Sequence, residues 1–282
     1  MRHALAALCL MLALAPAAAR AACPGLPEVA RLAMALLDRT TPPPPPTALT
    51  AQDAACMRER VAGTLSQPWG DQVGWKVAGT AAQPQVGTLY FGTLRERPGS
   101  TFRPGQAAAL PAAYGIAPQL GAGLLLRIRY DGVGEVGDDH LSLIRHLDAV
   151  IPFLDLGDRI WRDAAFTPAL LLGINLGTRL GVQGEEIAPE PTPAFARALG
   201  DLTAVLEQGS RREEGPGSGP AGHPLDVLAW LARDLREQGR RLQEGEYVAV
   251  MLGPSFPATA GEARLTLIGL APQPATVAVR LD

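Results

Sequence analysis

Lysine is almost missing from this chain of 282 residues: of its 25 basic side chains, Lys76 is the single lysine and the rest are arginines. Arginine has met nearly every ordinary need for positive charge, and one position did not accept it. A guanidinium stays protonated, whereas an ammonium on a flexible stem can be desolvated, lose its proton and act as acid, base or nucleophile. Lys76 is therefore the first candidate for chemistry; the competing reading is a solvated strand lysine left by compositional bias. Other absences narrow the function further. No Ser-His-Asp order, Cys-His pairing, phosphate-cradling glycine loop, zinc spacing or internal repeat stands out. No apolar run reaches the roughly 20 residues of a spanning helix, so no membrane span is expected.

Cysteine is scarce too, with three in the chain. Residues 1–21 join a basic start, Met1-Arg2-His3, to an apolar run from Ala4 to Ala15 and a small-x-small end, Ala19-Arg20-Ala21. This is read as a secretory signal cut before Ala22, which places the protein in the periplasm or outside the cell. Cleavage removes Arg2, Arg20 and Cys9, moves the formal charge from −3 to −5, and leaves Cys23 and Cys56. An acidic mature chain argues against nucleic acid as a partner. Two cysteines in an oxidising compartment predict a disulfide, with two free thiols as the alternative. Lipid modification of Cys23 is disfavoured because Arg20 stands where a lipobox wants an aliphatic residue.

The composition, 47% hydrophobic and 19% charged, is that of a globular protein. Residues 22–70 read as an N-terminal helical segment: one helix from Pro27 to Asp38, a second from Asp53 to Leu65, and between them an extended spacer, Thr40 to Thr47, with five prolines in a row. Residues 71–282 read as the main domain. Val73 to Ala78, Gly87 to Leu94 and Leu124 to Tyr130 predict strands. Helical spacing of Leu141, Ile144, Leu147, Val150 and Ile151 predicts a helix over 138–153, and 169–182 a buried segment turning at its glycines. Residues 207–222 are polar and rich in Gly and Pro, which predicts a mobile loop. Pro224 opens a helix with Leu225, Leu228, Leu231 and Leu235 on one face. Three strands follow, over 247–252, 264–270 and 276–281. His140 and His146, six apart, do not share a helix face and read as surface residues.

Several phrases then stand in order: Val73-Gly-Trp-Lys-Val-Ala-Gly-Thr80, Phe91-Gly-Thr-Leu94, Pro152-Phe-Leu-Asp-Leu-Gly-Asp-Arg-Ile160, Gly222-His-Pro-Leu-Asp-Val-Leu-Ala-Trp-Leu-Ala232, Leu242-Gln-Glu-Gly-Glu-Tyr-Val248 and Gly253-Pro-Ser-Phe256. In this order the chain resembles the 2-keto-4-pentenoate hydratases and 4-oxalocrotonate decarboxylases of the fumarylacetoacetate hydrolase superfamily, over nearly all of its mature length. The resemblance implies an α+β fold, a mixed and curled β-sheet with flanking helices, assembled into homo-oligomers. It also implies a 2-oxo or 2-hydroxy-dienoic acid held through magnesium or manganese, with proton transfers that add water to a double bond or release carbon dioxide. The lysine of that active site falls on Lys76. His223 borders the implied substrate pocket, with a plain helix-entry role as its alternative. Ser255 and Phe256 match a phrase near the ligand carboxylate, although Pro254 removes an amide donor there. Asn175 keeps the Asn of an Asp-Asn phrase whose Asp is here Ile174.

The departures are specific. Ala117 and Gln119 stand where the resemblance implies a Glu-x-Glu metal pair, and no Asp or Glu occurs from Arg97 to Tyr130, a run of 34 residues. The third implied ligand falls on Asp155, with Asp158 as the competing choice. Mg²⁺ wants oxygen ligands in octahedral array, usually anchored by carboxylates. Gln119 and Asp155 would hold a metal weakly at best, so no metal, or weakly bound magnesium or manganese, is expected. Three readings follow: an exported carboxylic acid binder with degraded metal chemistry, an active lyase on 2-oxo acids using Lys76, or a non-catalytic envelope interaction protein.

Overall fold

The computed structural model describes residues 23–95 and 108–282; the signal segment expected over 1–21 lies outside the described residues. The N-terminal segment folds as two helices, α1 (Leu26–Asp38) and α2 (Ala51–Trp69). Helix α1 turns Val29, Leu32, Ala33 and Leu36 inward at helical spacing, each large apolar side chain contributing about 2 kcal/mol on burial. Helix α2 starts where Thr50 accepts the N–H of Asp53 at 3.1 Å, while Asp53 reaches back to the Thr50 amide. Cys23 and Cys56 form the predicted disulfide, which fastens the start of α1 to α2. In the chain-entropy model, closing a loop of this length adds on the order of 3 to 4 kcal/mol.

The proline tract forms no helix or strand, and it is docked: the Trp161 indole N–H donates to the Pro43 carbonyl at 2.7 Å. The two helices do not enclose a core of their own. Val29, Leu36, Met57, Val61 and Trp69 pack with Tyr90, Ile160, Leu170 and Ile174 of the main domain.

The remaining elements are β1 (Gln72–Thr80), β2 (Gln83–Tyr90), β3 (Leu94–Arg95), β4 (Ala108–Leu110), β5 (Pro118–Ile128), α3 (His140–Arg145), β6 (Leu147–Asp158), α4 (Pro168–Gly173), β7 (Leu180–Gln183), α5 (Pro193–Asp201), β8 (Thr203–Gln208), β9 (Arg211–Pro216), α6 (Pro224–Glu237), β10 (Tyr247–Pro257), β11 (Gly261–Ile268) and β12 (Ala275–Leu281). Seven strands form a mixed sheet in the order β2-β1-β10-β5-β6-β7-β3, and five form a second in the order β4-β12-β11-β8-β9. The main core lies between them and under α3, α5 and α6, with Leu124, Leu126, Val150, Leu154, Leu228, Leu231, Val250 and Leu265 inside. Strands β1 and β10 run parallel, Lys76 opposite Ala249. A side chain at Gly74 would place its Cβ 2.0 Å from the Tyr247 carbonyl oxygen, so this close pairing requires glycine.

Two expectations are corrected. The helix predicted over 138–153 stops at Arg145, and from Leu147 the chain is strand β6. That strand is buried on both faces, which erases the alternation of a half-exposed strand and leaves apolar spacing that also matches a helix. The loop predicted over 207–222 is mostly a hairpin of β8 and β9, turning at Gly209 with φ +60° and pairing Glu207 with Arg212 across the strands. Its polarity reflects exposure of β9, since paired strands need no apolar face when one side is wet. In β1, a bulge between Gln72 and Gly74 takes Val73 off the face of Trp75 and Val77, and Val73 packs with Leu89, Leu125 and Phe153.

Candidate ligand cavity around Lys76

Lys76 is buried, only 3% exposed, and its Nζ donates to Asp155 Oδ2 at 2.7 Å and to the Leu176 carbonyl at 3.3 Å. Strand β1 presents Lys76 on the face opposite Trp75 and Val77, so the reading of a solvated strand lysine is overturned. Asp155 comes from β6, where it pairs with Gly121 of β5 and Gly181 of β7. The Leu176 carbonyl is aimed by a tight turn over Asn175–Gly177, in which Asn175 and Leu176 both have positive φ near 55°.

A cavity of about 200 Å³ opens beside this pair, floored by Lys76 and Asp155 and walled by small residues such as Ala78, Gly121, Gly157 and Gly253. Gln119, Arg159, Met251 and Ser255 complete its polar and flexible wall. It holds roughly six water volumes, room for a small organic acid. Two larger furrows, each about 890 Å³, flank the proline tract and contain neither Lys76 nor Asp155. Volume alone would favour them; the buried charges favour the smaller cavity.

Burial pushes the Asp155 carboxyl above the usual carboxylate range, against the opposing pull of the Lys76 charge and hydrogen bond. Nearby, burial and the charges of Asp155 and Asp158 raise the Tyr114 phenol, which stays protonated and donates to the Gln119 carbonyl at 2.7 Å.

The residues do not fit a divalent cation. Asp158 spends both oxygens on the main chain, accepting from Ala117 and Ile160 on Oδ1 at 2.7 and 3.0 Å and from Ile116 on Oδ2 at 2.8 Å. Asp155 is already neutralised by Lys76. The Gln119 amide donates to the Pro118 carbonyl at 2.9 Å, and Ala117 offers a methyl group. One neutralised carboxylate and one amide carbonyl leave Mg²⁺ short of charge and ligands. Between the two carboxylates that the sequence left in competition, the structure gives Asp155 the ammonium and Asp158 the backbone.

The other sequence candidates scatter. Ser255 lines the cavity and is exposed. Asn175 does not line it; the side chain accepts the Thr88 N–H at 2.7 Å and donates to the Thr88 carbonyl at 3.0 Å, which clips the turn carrying Leu176 onto β2. His223 does not line it either. Its Nδ1 accepts the Leu225 N–H at 3.1 Å as cap of α6, and Nε2 reaches the Ala196 carbonyl at 2.9 Å. Burial pushes its pKa down, so it caps as a neutral ring. The helix-entry alternative for His223 therefore describes its hydrogen bonds. Nor are His140 and His146 simple surface residues: His140 meets Asp226 at 2.7 Å and stacks on His223 at 4.6 Å, and His146 bonds the Ser142 carbonyl.

Two contributors were missed. The Leu176 carbonyl leaves no trace in side-chain identity. Arg159, beside Asp158, carries no distinguishing signal as one arginine among 24; it lines the cavity, its guanidinium lies over the Phe166 ring at 5.7 Å, and among the described residues no carboxylate pairs with it.

No family model matches the chain, and no curated protein matches it in sequence. Solved structures do. The magnesium and adipate complex of 4-oxalocrotonate decarboxylase from Pseudomonas putida G7 matches with a TM-score of 0.72 at 19% identity, over 91% of this chain and 97% of that one. The calcium and acetate complex of the same enzyme matches at 0.62 and 19%, over 83% and 86%. The yeast protein ynq8, of the fumarylacetoacetate hydrolase family, matches at 0.53 and 12%, over 74% and 92%. Two helices, a curled seven-stranded sheet and a second sheet thus give this chain the fumarylacetoacetate hydrolase fold, in the form that 4-oxalocrotonate decarboxylase shares.

Proposed function

We propose that this protein binds a small 2-oxo or 2-hydroxy-dienoic carboxylic acid in the Lys76 cavity, on a hydratase-like fold whose metal chemistry has been lost. One observation carries the reading: a buried ammonium, held by Asp155 where a metal ligand is implied, beside a small cavity with an arginine at its wall. Lys76 supplies a buried hydrogen-bond donor without a metal, and Arg159, with which no carboxylate pairs among the described residues, offers positive charge and a fork for a carboxylate. Adipate and acetate, the acids in the neighbouring complexes, are natural first probes.

The second reading is a lyase that turns such an acid over. The same pair supports it, because a proton can pass directly between groups 2.7 Å apart. Export to the periplasm or beyond is part of the proposal, supported by the leader-like residues 1–21 and by the Cys23 to Cys56 disulfide. So is self-assembly, to be read from sedimentation; a purely structural role in the envelope is the competing class. Calorimetric titration with adipate and 2-oxoadipate, in chelator and then in Mg²⁺ or Mn²⁺, together with a dienoate hydration assay, separates these readings. Saturable binding in chelator is expected. Binding that requires metal would defeat the metal-free reading, and no binding under any condition would favour the structural one.

A further inference from the structure

We propose that Lys76 forms a covalent imine with the 2-oxo group of its ligand, an activity built on the carboxylic acid binding proposed above. The chain has one lysine, and it is buried at the floor of the cavity with a carboxylate 2.7 Å from its nitrogen. Two of the three ammonium hydrogens are taken by Asp155 and the Leu176 carbonyl. The small residues Ala78 and Gly121 line the same cavity as Lys76 and leave room there for a 2-oxo acid. No cysteine competes as a nucleophile among the described residues, since Cys23 and Cys56 are bonded to each other.

The step balances with the groups present. The Lys76 ammonium passes one proton to the Asp155 carboxylate, and the free amine attacks C2 of the 2-oxo acid, forming the C–N bond as the C=O pair moves to oxygen. A nitrogen proton moves to that oxygen and gives the neutral carbinolamine. Asp155 returns its proton to the hydroxyl, the C–O bond breaks, water leaves, and the nitrogen lone pair closes the iminium. The site starts as ammonium beside carboxylate and ends as iminium beside carboxylate. An environment that stabilises the first stabilises the second, because charge and position are conserved.

The lysine amine is a side chain that forms imines with carbonyl substrates. Here it also offers a clean test, because the α-amine is the one other primary amine in the chain. The folded wild-type protein would be incubated with pyruvate or 2-oxoadipate and cyanoborohydride, digested and mapped by mass spectrometry. An adduct on the peptide containing Lys76 is expected, with a mass gain equal to the acid less one oxygen atom, accumulating faster than label on the α-amine. Adipate, which has no 2-oxo group, should leave no adduct and should protect Lys76 from pyruvate. Asp155→Asn should slow trapping by about 100-fold, the usual scale of a lost proton-transfer partner, with its fold checked by circular dichroism. Calorimetric binding of 2-oxoadipate without any Lys76 adduct would overturn the imine and leave the binding proposal standing. Neither binding nor adduct would overturn both.

Discussion

Lys76 and Asp155 meet across four strands: β1 and β6 are separated in the sheet by β10 and β5, yet their charged atoms are 2.7 Å apart. Three strand spacings on a flat sheet amount to about 14 Å. Their side chains stand off the same face and close this distance because the sheet curls toward it. The ion pair is therefore a product of sheet curvature, and it converts the one lysine of the chain into a buried group.

Lys76→Met should lower stability by about 3 to 5 kcal/mol near neutral pH, because it strands a buried carboxylate. This is a larger loss than a solvated lysine would show. Burial holds the folded Asp155 carboxyl above its unfolded pKa, so stability falls as pH rises between those two values and is recovered below them. Removing Lys76 deletes the influences that oppose the shift and extends that window upward. Urea unfolding at pH about 5 and about 8 should give a smaller loss at the lower pH. Equal losses at both would show that Asp155 is not the stranded group.

Gly121→Ala tests the cavity. The added Cβ would lie 3.1 Å from the Met251 methyl and 3.4 Å from Asp155, contacts that a flexible methionine end can relieve. The expected result is a stability change of about 1 kcal/mol or less with at least a tenfold loss of acid binding. Unchanged affinity in calorimetry would move the ligand elsewhere.

Asn175→Ala should cost about 2 to 3 kcal/mol, since the Thr88 N–H and carbonyl lose buried partners and alanine is less suited than asparagine to φ +56°. Thermal unfolding checks the size. Because the Leu176 carbonyl sits on the same turn, ligand affinity should fall as well, whereas Lys76 stays in place.

Ala117→Glu together with Gln119→Glu should create measurable Mn²⁺ binding where the parent chain shows little, because two added carboxylates outweigh the Lys76 charge. Manganese paramagnetic resonance would count the bound ions. A double variant with no gain would mean that these two positions do not face the same point, a result that the Ala117 amide's bond to Asp158 already makes worth testing.

Much of the architecture was legible in the residues. Helices α1, α2 and α6 announce themselves by one-sided apolar spacing, and the last three strands by short runs between Gly and Pro. The pairing of Cys23 with Cys56 followed from their number and the export expected from residues 1–21. Lysine usage singled out Lys76 before any fold was known. Strand β6 was not legible, because a segment buried on both faces carries no period that separates strand from helix. Nor were the distant partners of His223 and Asn175, at Ala196 and Thr88, which lie 27 and 87 residues away. The sequence by itself determined that the chain has one lysine and that no carboxylate occurs from Arg97 to Tyr130. Only the tertiary structure decided that Asp155 faces Lys76 while Asp158 holds the main chain, because that choice depends on the curl of a sheet and on backbone amides that no residue name records.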